Sequence, residues 1–174
     1  MDIFEAIKNR RSIRDYNPSK KVPKDAIEKI VDAARWAPSA GNQQPIEVVA
    51  VSEKEKREKL VAASGNAPYL KDSPVALVVC VNHNKYAKGY ANAVSFFMPM
   101  DASAAMQNMM LAAYAQGLGT CWDSVLNKSV IRELLNIPEY VEPFSILALG
   151  YPSKIPEKPP TRRKIEEMIH WDTY

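Results

Sequence analysis

The chain is poor in the residues from which metal sites, disulfide frameworks and hydrolytic triads are built. It has two cysteines, Cys80 and Cys121, and two histidines, His83 and His170. The cysteines are far apart and form no Cys-x-x-Cys pair, so they suggest neither a disulfide framework nor a zinc site, and they suit a reducing compartment. Each lies among apolar neighbours, as a buried free thiol does. The histidines are too few and too separated for a His-rich metal centre. No Gly-x-Gly-x-x-Gly follows a strand, no P-loop glycine pattern occurs, and no Gly-x-Ser-x-Gly elbow is present. A Rossmann dinucleotide domain, a P-loop fold and an α/β-hydrolase are thereby set aside.

Long hydrophobic runs are missing as well. The longest, Val75 to Val81, has seven residues, against the roughly 20 that a membrane span requires. Charges begin at Asp2 and no signal-peptide core follows, so the expected location is cytoplasmic, without a membrane partner. The net charge of +3 is too small to call for nucleic acid, which wants a broad basic face. What the chain does have is ordinary globular composition, 47% hydrophobic and 25% charged over 174 residues. That bounds it to a single domain, 1–174, without internal repeats.

The spacing of apolar residues predicts a short helix from Ile3 to about Lys8. A second follows Pro23, with Ile27, Ile30, Val31 and Ala34 on one stripe, and Pro38 stops it. Ile46–Val51 reads as a strand, and Ser52 with Glu55 as a capping box for a helix ending near Ala63. Val75–Val81 is apolar on both faces and predicts a central strand covered on each side. Residues 82–98 read as a surface excursion that can serve as an active-site lid, with Tyr90, Phe96 and Phe97 as candidates to line an acceptor pocket. Asp101 to Gln116 predicts a helix apolar nearly all round, which needs burial on every side, some of it from a second subunit. Its methionines read as core filling, and Trp122 and Trp171 as packing residues. A short strand follows Gly117-Leu118-Gly119, Asn127 caps a further helix, and Phe144–Tyr151 is a third strong strand. Four prolines between Pro152 and Pro160 predict an extended arm rather than a packed element. Helices and strands alternate without a regular βαβ rhythm, which predicts an α+β fold: a mixed central sheet with helices on both faces.

Arg10-Arg11-Ser12-Ile13-Arg14 concentrates three guanidiniums and a hydroxyl. On an extended backbone Arg10, Ser12 and Arg14 share one side and Arg11 takes the other, and rigid donor forks of this kind suit a phosphate. A second basic cluster, Arg162-Arg163-Lys164, rides on the C-terminal tail. Between them lies a polar loop bracketed by proline, Pro38-Ser39-Ala40-Gly41-Asn42-Gln43-Gln44-Pro45. Loops rich in Arg, Ser, Asn and Gln hold a ligand by hydrogen bonds and leave the hard chemistry to that ligand.

These stretches, with Gly117-Leu118-Gly119-Thr120-Cys121-Trp122 and Leu149-Gly150-Tyr151-Pro152, resemble the FMN-dependent nitroreductase family in the same order along nearly the whole chain. The resemblance implies an intertwined homodimer, with two FMN sites at its interface and the arm 153–174 reaching the partner subunit. It also implies oxidation of NADH or NADPH by a ping-pong mechanism, passing two electrons to a flat electrophile such as a nitroaromatic or quinone. Residue by residue, Arg10 and Arg162 match phosphate ligands, with Arg11 and Ser12 in the same network. Arg14 matches the basic group beside the flavin N1–C2=O edge, an electrostatic tuner rather than a catalytic acid or base. Pro38, Ser39, Asn42 and Gln44 match the loop offered by the other subunit, and Asn66 an amide on the pyrimidine ring. Ser124 and Val125 match the backbone near N5. Two departures stand out: Ile46 replaces an aromatic, and Pro160 replaces a lysine two positions before Arg162, so Arg163 or Lys164 becomes a substitute contact. Among such relatives the same framework also carries reductive dehalogenation or destruction of the flavin. A non-catalytic flavin-binding or redox-sensing module would use the same residues.

Overall fold

The computed structural model describes residues 2–65 and 67–174. Five α-helices and four strands alternate along the chain: α1 (Ile3–Asn9), α2 (Lys24–Arg35), β1 (Ile46–Val51), α3 (Lys54–Ala63), β2 (Val75–Asn82), α4 (Val94–Ala115), β3 (Gly119–Ser124), α5 (Lys128–Leu135) and β4 (Val141–Gly150). The strands form one sheet in the order β1-β2-β4-β3. All three of its ladders are antiparallel. The parallel component among the described residues is a single bridge between Ser12 and Thr120.

Every residue of β2 is buried, as a strand apolar on both faces must be. Odd and even positions serve separate cores. Ala76, Val78 and Cys80, with Ile146 and Ala148 of β4, pack with Leu60 and Ala63 of α3 and Ile131 of α5. Val75, Leu77 and Val79, with Leu147 and Leu149, pack with Ile30 of α2 and Met106 and Met109 of α4. Helices therefore cover both faces, two on each.

α2 places Ala26, Ile30 and Ala34 on its buried side and carries the exposed i,i+4 pairs Lys24–Glu28 and Lys29–Asp25 on the other. Asn108 of α4 donates to the Ala33 carbonyl at 3.1 Å and ties the two helices together. α5 is capped as its sequence predicts, the Asn127 side chain accepting from the Val130 N–H.

Two details differ from expectation. Glu53, not Ser52, precedes the first turn of α3, and no side-chain cap is made there. With Glu53 at the cap, Ser52 and Glu55 fall one position out of the Ncap–N3 register that a capping box needs, and the buried Arg57 donates to the Ser52 carbonyl. α4 starts at Val94, seven residues before Asp101, and runs through Pro99. Position 99 lies close enough to the start to leave the rest of the helix intact. Within the single chain α4 buries Asp101, Ala102, Ala105, Met106, Met109, Met110 and Ala113 and leaves Met100 52% exposed.

Candidate functional site

The arginine stretch begins where α1 ends. Arg10 caps that helix in an extended conformation, and the following residues run alongside β3. The Ile13 N–H donates to the Thr120 carbonyl at 2.8 Å, the Asn17 N–H to Tyr151 at 2.9 Å, and the Ser153 N–H back to Asp15 at 2.9 Å. Ile13 and Tyr16 enter the core while Ser12, Arg14 and Asp15 are exposed, so the inward side chains do not follow a strict two-residue alternation. Gly119 permits this approach, because a Cβ there would overlap the Ile13 side chain.

Arg10, Arg11, Ser12 and Arg14 line one open hollow of about 360 Å³, closed on the other side by Pro156, Lys158, Pro160 and Arg162 of the arm. No carboxylate lines it. Arg11 was expected on the opposite side of an extended strand. Its guanidinium instead bends back onto the Lys8 and Arg10 carbonyls at 2.7 and 2.9 Å, at the negative end of α1, and so joins the hollow. Burial, with the neighbouring charges of Arg11 and Arg162, holds Arg10 below its ordinary range. Like charges crowded around an open space are the electrostatic signature of an anion site.

Arg14 is exposed and lies over the Tyr69 ring, 5.9 Å from its centroid, a cation–π contact that favours this placement of the guanidinium. Tyr69 is itself pushed well above the usual tyrosine range by burial and by its hydrogen bond with Cys121. It stays a neutral platform.

The proline-bracketed loop is elsewhere. Pro38, Ser39 and Gln44 line a second, larger hollow of about 470 Å³ with Ile27, Val31 and Asp101, and neither hollow borrows a residue from the other. The loop is wound tightly: Gly41, Asn42 and Gln44 all have positive φ. Ser39 Oγ accepts from the Gln44 N–H at 3.0 Å, and Gln44 Nε2 donates to Asn42 Oδ1 at 3.2 Å. Gly41 is required twice, by its φ of 54° and by the Tyr90 ring where a Cβ would sit.

Ser124 ends β3, and Val125 forms a bridge with Ser64. Arg163 is exposed and lies outside the residues lining the first hollow. Asn66 lies outside the described residues. Sequence reasoning missed Lys158, because the proline-rich arm reads as a spacer, and it missed the contact of Arg14 with Tyr69.

Residues 7–68 and 61–151 match the profile of the Nitroreductase family. The chain belongs to the nitroreductase family. Within it, a protein of Methanothermobacter thermautotrophicus, provisionally named NADH dehydrogenase/NAD(P)H nitroreductase, is 42% identical over 100% of this chain and 88% of its own length. A solved nitroreductase family protein from Clostridium difficile 630 is 34% identical, covers 100% of both chains and superposes with a TM-score of 0.84. The FMN-dependent nitroreductase of C. difficile R20291 gives 28% identity, 98% and 99% coverage and a TM-score of 0.85. The family match thus runs from residue 7 to residue 151, and the solved C. difficile 630 protein aligns over the full length of this chain.

Proposed function

We propose that this chain is the protomer of a homodimeric, FMN-dependent NAD(P)H oxidoreductase that acts by a ping-pong mechanism on a flat electrophilic acceptor. The observation that carries the reading is the carboxylate-free hollow ringed by Arg10, Arg11, Ser12, Arg14, Lys158 and Arg162. Its donors fit a phosphate monoester: guanidinium forks and an ammonium for the charge, and a hydroxyl for the remaining lone pairs. Arg10, held below its ordinary range by burial and then by the charges of Arg11 and Arg162, would be relieved by an anion.

Bound FMN would supply the redox chemistry, that of hydride transfer from NADH or NADPH and two-electron reduction of the acceptor. The chain's own part is to bind and to tune. Arg10, Ser12 and Arg162 hold the phosphate, with Arg11 and Lys158 adding charge. Arg14, lying over Tyr69, places a permanent positive charge where reduction leaves negative charge, which is electrostatic preorganisation. Pro38, Ser39, Asn42 and Gln44 complete the site from the partner subunit, with Asn66, Ser124 and Val125 on the ring side.

Two features support the dimer. The loop and the arginines line separate hollows in one chain. Large apolar side chains also lie bare at both ends: Ile3, Phe4 and Ile7 of α1, and Ile165, Met168 and Trp171 of the arm. No helix of the described residues is long and apolar enough to cross a membrane. A second copy is a good cover for those side chains.

Anaerobic stopped-flow tests the activity. Rapid bleaching of the bound flavin by NADH or NADPH, and recovery on adding a quinone or nitroaromatic, is expected. Tight FMN binding without bleaching would leave only a flavin-binding module.

A further inference from the structure

One buried charge near the second hollow lacks a counter-ion. Asp101 is 5% exposed, and among the described residues it pairs with no cationic side chain. A buried, unpaired carboxylate is costly unless hydrogen bonds hold it. Both oxygens are engaged: Oδ1 accepts from the Ala40 N–H at 3.0 Å, and Oδ2 from the Tyr86 hydroxyl at 2.8 Å. The donors come from two different segments. Ala40 opens the tight turn of the proline-bracketed loop, and Tyr86 ends the first turn of the excursion between β2 and α4.

Two more contacts join the same segments. Gln43 Oε1 accepts from the Ala87 N–H at 2.7 Å, and the Tyr90 ring fills the space above Gly41. Tyr90 in turn meets Phe97 edge to face, with centroids 5.6 Å apart. Burial and the carboxylate beneath it push the Tyr86 hydroxyl above the usual tyrosine range, so it remains a donor.

We propose that Asp101 is a positioning residue that locks the aromatic segment 83–93 to the loop 39–44, so that acceptor wall and cofactor loop move as one body. The inference rests on the cofactor reading above for what the loop holds, and on the sequence expectation that Tyr90 and Phe97 meet the acceptor, though not for the coupling itself. An acceptor pressing on Tyr90 and Phe97 then steadies the loop, and by reciprocity a loop engaged with FMN shapes the acceptor pocket. Charge-assisted hydrogen bonds are strong enough for the task.

Tyr86→Phe in the full-length protein tests it, since the variant removes one hydroxyl and keeps the ring. Amide hydrogen exchange is read alongside FMN release, with and without 4-nitrobenzoate and in the absence of NAD(P)H. Exchange should quicken about tenfold in 83–93 and also in 39–44, the scale set by one charged hydrogen bond, while β2 is unchanged. 4-Nitrobenzoate should slow FMN release from the wild type and not from the variant. Asp101→Asn should keep both behaviours, its amide oxygen accepting from Ala40 and its NH₂ donating to the Tyr86 hydroxyl, whereas Asp101→Ala should lose them. Faster exchange confined to 83–93, or linkage surviving in Tyr86→Phe, overturns the proposal. A wild type that never holds FMN sinks the cofactor reading instead, and the exchange measurement then decides the coupling alone.

Discussion

An arginine resting on an aromatic ring has less freedom to lose when a ligand arrives. Arg14 rests in this way on Tyr69, and that contact favours one place for its charge. Replacing Arg14 with Ala should lower the midpoint potential of bound FMN by about 30 mV, the two-electron equivalent of ~1.4 kcal/mol, and slow its reduction. Redox titration checks this, and unchanged values would strip Arg14 of its electrostatic role. Buried neutral groups make a second prediction. Cys80 has no exposed surface, and burial pushes its thiol up to about 12. In an unfolded chain the same thiol ionises near ~8.5, so its stabilising contribution is complete below that pH and falls above it, by up to about 1.4 kcal/mol per pH unit. Tyr16, also raised by burial, acts in the same direction at higher pH. Urea denaturation should show a lower midpoint near pH ~10 than near ~7.5; equal midpoints would contradict the burial argument.

The segment 12–16 shows how an element delivers a site. Its backbone is pinned to Thr120 and Tyr151, and that close approach depends on Gly119. Gly119→Ala would drive a Cβ to within 3.0 Å of Ile13 and should destabilise the protein by about 1–3 kcal/mol, the usual cost of overpacking. FMN should be released faster as Ser12 and Arg14 shift, whereas wild-type retention would show that the pinning is dispensable. Elements with one dominant signal were legible in the sequence. The unbroken apolar run of β2 admits only a covered strand, and Asn127 caps α5 as its side chain suggests. Where signals competed, pattern failed. The Ser52–Glu55 pair satisfied the capping-box spacing, yet α3 begins one residue later, with Glu53 at its cap. Asp101 read as the start of the apolar helix, but α4 begins at Val94 and runs through Pro99. Within the site, Arg10, Arg11, Ser12 and Arg14 were legible because charge clusters locally. Lys158 and the Asp101 clip were not, since Asp101 meets partners 15 and 61 residues away, and only folding brings them together.

At the scale of the assembled protein, the bare apolar surfaces of α1 and the arm are the feature a lone chain leaves unsatisfied. Removing residues 153–174 also removes Pro156, Lys158, Pro160 and Arg162 from the first hollow. The truncated chain should run as a monomer by light scattering and lose its yellow colour; a dimer that keeps FMN would contradict the reaching arm. The central claim is that this hollow grips a phosphate, and flavins that differ only in that group address it directly. Apoprotein titrated with FMN and with riboflavin should bind FMN at least about 100-fold more tightly, as two charge-assisted contacts of roughly 1.5–3 kcal/mol imply. That preference should collapse in Arg10→Ala/Arg162→Ala, and riboflavin bound as tightly as FMN by the wild type would contradict the account.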